Sequence, residues 1–301
     1  MTQATDVTGE LLKAVSRSFY LTIRFLPKEM RPAVALGYML ARATDSVADT
    51  ASTPLQHRAE ILRRMGAVIA GGVSDEEHRA LLTALREEIA PGVSHAAERT
   101  LLCEFGTCLK ALETFDTACQ AHIRKVLATI VKGQLWDLTA FAECDTVSDD
   151  EETRRYTYCV AGCVGEFWTD LGYTAMGERF CDESRREIMT AAGIRYGQGL
   201  QLINILRDME EDEARGRHYL CSDPAKWLHR ADSYMNDGID YSRRLGTFSL
   251  RFASVLPAII GKKTIKLLRS TSLGKGKVKI KRSAVYCSML QALWMSLCKR
   301  G

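Results

Sequence analysis

Asp45 and Asp49 stand one helical turn apart in YMLARATDSVAD (38–49), and Asp208 and Asp212 repeat the spacing in LQLINILRDMEED (200–212). Like charges four residues apart repel and weaken a helix by about 0.2–0.5 kcal/mol. Neighbours extend each pair into a polar stripe. Tyr38, Arg42, Asp45 and Asp49 form the first, and Gln201, Asn204, Asp208 and Asp212 the second. Leu200, Ile203 and Leu206 supply apolar surface around the second stripe. A helix apolar over much of its circumference is largely buried, and burying an unpaired carboxylate is costly. Divalent cations between the carboxylates would remove that cost. A donor set of oxygens alone suits Mg²⁺, which shares its sites with substrate phosphates. The chemistry indicated is the holding of a diphosphate through Mg²⁺, with Arg side chains gripping its oxygens. Either run alone also reads as a solvated, charge-rich helix end. The two together, with Arg42 and Asn204 in register, point to a site.

The elements that must carry these stripes read as helices throughout. RPAVALGYMLARATDSVAD (31–49) opens on a proline at its start, a favoured first-turn position. Helices follow from Thr53-Pro54 to about Gly71, and from a Ser74-x-x-Glu77 capping signal. Pro91-Gly92 breaks the chain. Residues 95 to 142 suggest two helices meeting near 115 to 120. A cap at Ser148 with Glu151 or Glu152 opens the helix carrying YTYCVAGCVGEFWTDLGY. Another helix runs from about Asp182 to Asp212, then EARGRHYLCSDP is a loop. Helices at about 224–244, 247–270 and 283–299 complete the chain, with a basic stretch, STSLGKGKVKIKRS, before the last. No Val/Thr-rich alternating runs interrupt this order, and no solenoid repeat appears. One all-α domain is the economical reading.

Bulk properties narrow the class. The 301 residues are 46% apolar and 26% charged, with a net charge of +4, so charge makes no case for nucleic acid. No signal peptide or apolar run of membrane-spanning length is visible, which predicts a cytoplasmic protein without a transmembrane anchor. The ten cysteines lack zinc spacing and are expected as buried, reduced thiols. In the last helix, Tyr286, Met289, Leu290, Leu293, Trp294 and Leu297 fall at helical spacing, a stripe expected in the core. Peripheral membrane contact stays open.

Four blocks together resemble the squalene/phytoene synthase family, the head-to-head trans-isoprenyl diphosphate synthases. They are SRSFYLTIRFLP (16–27), YMLARATDSVAD, YTYCVAGCVGE (156–166) and LQLINILRDMEED, in the family's order. The resemblance implies an all-α, single-domain helical bundle of isoprenoid-synthase type around a central hydrophobic cavity, spanning 1–301. It implies that Asp45, Asp49, Asp208 and Asp212 bind diphosphate through Mg²⁺. It places Ser16, Arg17, Arg42, Gln201, Asn204, Arg207 and Arg217 in the diphosphate pockets, and Phe19, Tyr38 and Tyr156 against the reacting carbons. Ser46 and Thr50 stand where many relatives carry further acids, which leaves the number of metal ions open. Gly162 and Gly165 read equally as room for a prenyl chain and as close helix packing.

GKVKIKRSAVYCSML (276–290) resembles a segment of eukaryotic-type squalene synthases near their cofactor. On that resemblance Lys277, Lys279, Lys281 and Arg282 would meet the phosphates of NADPH; a solvated basic loop is the plainer alternative. The leading expectation is therefore a squalene synthase that joins two farnesyl diphosphates and reduces the product with NADPH. The alternatives are condensation without reduction, giving dehydrosqualene, phytoene or hydroxysqualene, and a non-catalytic relative acting as a scaffold.

Overall fold

The computed structural model describes residues 2–16, 19–141, 144–270 and 280–297. Arg17, Lys277 and Lys279 lie outside them. The described residues form helices and no strand; a lone bridge pairs Thr146 with His218. The helices divide into two compact units, Met1–Arg24 with Arg31–Thr139, and Phe25–Met30 with Ala140–Gly301.

The first unit holds α1 (Thr2–Ser16), most of α2 (Phe19–Phe25), α3 (Arg31–Asp49), α4 (Leu55–Ala70), α5 (Asp75–Ala84), α6 (Ala96–Cys103), α7 (Phe105–Leu112) and α8 (Thr117–Ala140). α3 packs against α1, α4, α6 and α7. Met39, Leu40, Ala43 and Val47 are fully buried in it. The 3.6-residue period of those positions turns Tyr38, Arg42, Asp45 and Asp49 to another side of the helix. α5 starts on the expected capping box: the Ser74 hydroxyl accepts from the Glu77 amide, and Glu77 accepts from the Ser74 amide. Residues 96–140 form three helices rather than two. Glu104 leaves helical geometry (φ −93°, ψ 10°) and separates α6 from α7. The Asp116 carboxylate, accepting from the Cys119 amide at 2.8 Å, starts α8.

The second unit holds α9 (Asp150–Thr157), α10 (Cys163–Met176), α11 (Arg186–Glu213), α12 (Pro224–Arg244), α13 (Phe248–Ser270) and α14 (Arg282–Leu297). A π-helical turn, Tyr158–Gly162, joins α9 to α10. The α9 cap falls on Asp149, whose side chain accepts from the Glu152 amide; Glu152 reaches back to the amide and hydroxyl of Ser148. Of the two glutamates the sequence leaves open, Glu152 is the partner, and the cap falls one residue later than expected. Tyr196, Leu202, Ile203, Leu206, Trp227, Met235 and Ile265 form the core shared by α11, α12 and α13.

Small residues bring α10 and the π-helical turn before it close to α11. A Cβ on Gly165 would lie 1.9 Å from the Gly193 carbonyl oxygen, and one on Gly197 would lie 2.2 Å from that of Ala161. Of the two readings of the VAGCVG glycines, close packing is what Gly165 does. Its obstacle is backbone, which cannot rotate aside. Gly165→Ala is therefore expected to destabilise the protein by about 3 kcal/mol or more, measured by denaturant unfolding. Wild-type stability in that variant would contradict the packing.

Two expectations are corrected. Nine cysteines among the described residues form no disulfide, but Cys144, Cys221 and Cys287 are exposed rather than buried. In α14, Met289 packs inward, whereas Tyr286, Leu290, Leu293, Trp294 and Leu297 are exposed. The helix seats itself on α13 through the opposite, small-residue side, with Ser288, Ala292 and Ser296 buried. Lys263 of α13 reinforces the seat by donating to the Ala284 carbonyl and the Ser288 hydroxyl.

Candidate functional site

In the first unit, α3 presents its polar stripe with partners from α1, α2 and α6. Arg42 divides its guanidinium between Asp45 and Glu98, each at 2.5 Å. The second oxygen of Glu98 accepts from the Ser46 hydroxyl at 3.2 Å, and that hydroxyl is also 2.9 Å from the Arg42 carbonyl. Arg42 Nε is buried without a hydrogen-bond partner. Burial pulls the Glu98 carboxyl upward, but Arg42 and Ser46 outweigh it and hold the group below its ordinary range. Asp45 behaves oppositely. Burial and then the adjacent charge of Asp49 push its carboxyl up to about 7, against the pull of Arg42. Its side chain keeps 40% of its surface open, so a ligand can reach it. The Asp45–Asp49 pair is thus short of positive charge even with Arg42 in place.

Phe19 stacks on Tyr38 with ring centroids 5.2 Å apart, and the Tyr38 hydroxyl donates to the Val15 carbonyl at 3.2 Å. Ser16 is buried at the end of α1, its hydroxyl donating to the Leu12 carbonyl at 2.5 Å. The aromatic pair and Ser16 are fixed by these contacts before any ligand arrives.

In the second unit, α11 carries Gln201, Asn204, Arg207, Asp208 and Asp212 near its C-terminal end. Arg207 donates to both oxygens of Asp208, at 2.8 and 2.5 Å. Asn204 and Gln201 approach each other at 3.4 Å, at the edge of hydrogen bonding. After α11 the chain turns at Gly216, in the left-handed region at φ 71° where glycine is favoured. The Arg217 amide then returns to the Asp212 carbonyl at 2.9 Å. The next residue pairs with the strand-like segment before α9, as Val147 donates to His218 and His218 to Asp145. Asp212, Arg217, His218 and Tyr219 consequently line one recess. Tyr156 of α9 stacks on Tyr219 (5.0 Å, 15°), and Phe141 meets Tyr219 edge-on at 5.0 Å.

Glu98, Tyr219 and Phe141 are the site neighbours that reading the sequence misses. Glu98 is 56 residues from Arg42 and carries no motif. An aromatic two residues past Arg217 was the one available signal for Tyr219. In the basic segment before the last helix, Lys281 and Arg282 are exposed at the start of α14.

Among the described residues no group of three or more His, Cys, Asp or Glu side chains converges as a ready metal cage. Each helix instead offers two carboxylates one turn apart. That donor set fits Mg²⁺, which is held by one or two carboxylates and completes its shell with water and phosphate oxygens. The elevated Asp45 carboxyl fits too, since a cation would relieve its repulsion with Asp49.

The fold is that of the all-α isoprenoid synthases. A ligand complex of TcSQS superposes with a TM-score of 0.73 at 23% identity, over 98% of this chain and 89% of that one. A dehydrosqualene synthase in complex with a ligand gives 0.61 at 18% identity, over 96% and 95%. The squalene/phytoene synthase family model matches residues 12–237, and the chain belongs to that family, whose members are prenyltransferases. A bifunctional lycopene cyclase/phytoene synthase of Pyrenophora tritici-repentis is 28% identical over 77% of this chain and 36% of its own length. Squalene synthase ERG9 of Candida albicans is 28% identical over 82% of this chain and 50% of its own. The chain thus spans half or less of the length of these two relatives. No helix among the described residues is long and apolar enough to cross a membrane.

Proposed function

We propose that residues 1–301 act as one catalytic domain that joins two prenyl diphosphates head to head, with both acidic pairs serving the same reaction. The carrying observation is the pair of stripes, each with two carboxylates a turn apart and an Arg bound to one of them. Asp45 and Asp49 would hold Mg²⁺ in one unit, and Asp208 and Asp212 in the other. Bound there, Mg²⁺ supplies positive charge to the departing diphosphate. Arg42 in the first unit, and Arg207 and Arg217 in the second, would add charge-assisted hydrogen bonds to diphosphate oxygens at their own acidic pair, with Ser16 in the first unit and Gln201 and Asn204 in the second as neutral partners. Ionisation of an allylic diphosphate leaves a carbocation. The faces of Phe19, Tyr38 and Tyr156 stabilise such a cation through the ring quadrupole, and their own stacking contacts keep them oriented at no cost when charge develops. Arg17 belongs to the same proposal through the motif that contains it. A purely scaffolding relative has no need of these carboxylates and their arginines.

For the substrate and product we favour two farnesyl diphosphates condensed to presqualene diphosphate and reduced to squalene by NADPH. Support comes from the squalene synthase relative and from the basic segment, where exposed Lys281 and Arg282, with Lys277 and Lys279, would meet the cofactor's phosphates. The phytoene synthase relative, equally identical, supports the second reading, condensation without reduction. Cysteines that form no disulfide among the described residues favour a reducing compartment, and we place the protein in the cytosol. Incubation with farnesyl diphosphate and Mg²⁺, with and without NADPH, separates the readings by mass spectrometry. We expect squalene only when NADPH is present. Phytoene from geranylgeranyl diphosphate, with no squalene under any condition, would overturn the assignment.

A further inference from the structure

The net charge of +4 conceals an uneven distribution. Residues 241–301 hold 14 of the 41 Lys and Arg and none of the 37 Asp and Glu; residues 1–240 carry 27 basic and 37 acidic side chains. Within it Arg251 is buried on backbone carbonyls and Arg243 pairs with Asp240; the remaining charge of an acid-free segment of this length is the electrostatic pattern of a surface that meets an anionic partner.

That same segment carries α14 and its outward stripe. Tyr286, Leu290, Leu293, Trp294 and Leu297 are 43–70% exposed. At 100° per residue they share the side of the helix opposite Ser288, Ala292 and Ser296, which seat it on α13. At ~200 Å² for each fully exposed side chain, the stripe leaves on the order of 600 Å² open, as large as the biggest patches on ordinary monomers, which are often functional. Arg282 and Lys281 stand exposed at its N-terminal end, and Lys266 is exposed on α13. No ion pair with an acid occupies any of these three among the described residues. Lys262 and Arg269, by contrast, are paired with Asp232.

We propose that this face of α14 docks on an anionic lipid surface, with the apolar stripe at the headgroup boundary and, on lipid phosphates, Lys266 and those basic side chains of residues 241–301 that are not assigned to the cofactor. Trp and Tyr are the side chains enriched at that depth, with an apolar ring and a polar edge. A second copy of the chain is the poorer occupant. A two-fold contact through this face would set two acid-free basic segments against each other. An apolar protein partner would leave the basic surround without complement. The proposal stands on the stripe and the charge distribution, not on the cofactor assigned to the basic segment or on the reaction.

The test is flotation of the purified chain with vesicles of phosphatidylcholine alone, or with about 30% phosphatidylserine, in about 0.1 M and about 0.5 M salt. We expect binding to the anionic vesicles at low salt, lowered at least about fivefold by high salt and by Leu290→Ser/Trp294→Ser. The helical circular dichroism and the turnover of detergent-dispersed substrate should be unchanged in that double variant, which separates lost docking from lost folding. If the variant unfolds, Leu290→Gln alone carries the same comparison. No binding to the anionic vesicles, equal binding by the folded variant, or a lipid-free dimer that the variant dissolves would overturn the proposal.

Discussion

Asp208→Asn and Asp45→Asn are each expected to lower the rate of condensation by about a thousandfold or more, the scale of losing an electrostatic group at a developing charge. That factor corresponds to about 4 kcal/mol of barrier. The change removes one negative charge from a cation site and keeps the side-chain shape. Folding should hardly respond. The Arg207–Asp208 pair is one-third exposed on both sides, and such pairs contribute about 0–1 kcal/mol. In α3, Arg42 also pairs with Glu98, at 2.5 Å, and should keep that partner when Asp45 is neutralised. Circular dichroism and thermal unfolding should therefore match wild type while product formation collapses. The comparison matters because the two substitutions lie in different units. Equal loss from both supports one reaction served by two acidic pairs; turnover within tenfold of wild type in either would remove that pair from the mechanism.

Magnesium dependence is expected to be steep in pH, and its sign follows from Asp45. Its carboxyl is raised to about 7 by burial and by Asp49. Below that pH the acid form dominates, and a metal must displace the proton. Mg²⁺ affinity at this pair should then fall about tenfold for each unit below 7, as for any ligand set that loses one proton on binding. Stability runs the other way. A folded-state value above the unfolded one means that the folded protein holds this proton more tightly. The resulting stabilisation is complete below about pH 4 and is lost as pH rises through about 7. Mg²⁺ replaces the proton, so it should raise the unfolding temperature more at pH 8 than at pH 6. A shift independent of pH would contradict the coupling between Asp45 and the metal.

The sequence is informative where a feature is local. The acidic stripes are legible because a helix turns i and i+4 to the same side, and the α5 cap is legible because its partners lie within four residues. The Arg42–Glu98 pair is not, since Glu98 comes from α6 and meets Arg42 only when α6 packs on α3. Tyr219 is similarly hidden. It reaches Tyr156 through a loop fastened by His218 to Val147, contacts that no spacing encodes. The last helix shows the limit of periodicity most clearly. Spacing groups Tyr286, Leu290, Leu293, Trp294 and Leu297 on one side. It does not say that Ser288, Ala292 and Ser296, with less apolar surface but better fit, win the seat on α13.

The most direct test of the central claim is release of inorganic diphosphate from farnesyl diphosphate, measured alongside the C–C coupled product while Mg²⁺ is titrated. The account predicts that release requires Mg²⁺, accompanies coupling, and disappears in Asp45→Asn and in Asp208→Asn alike. Release that persists without Mg²⁺, or that survives intact in either variant, would contradict it.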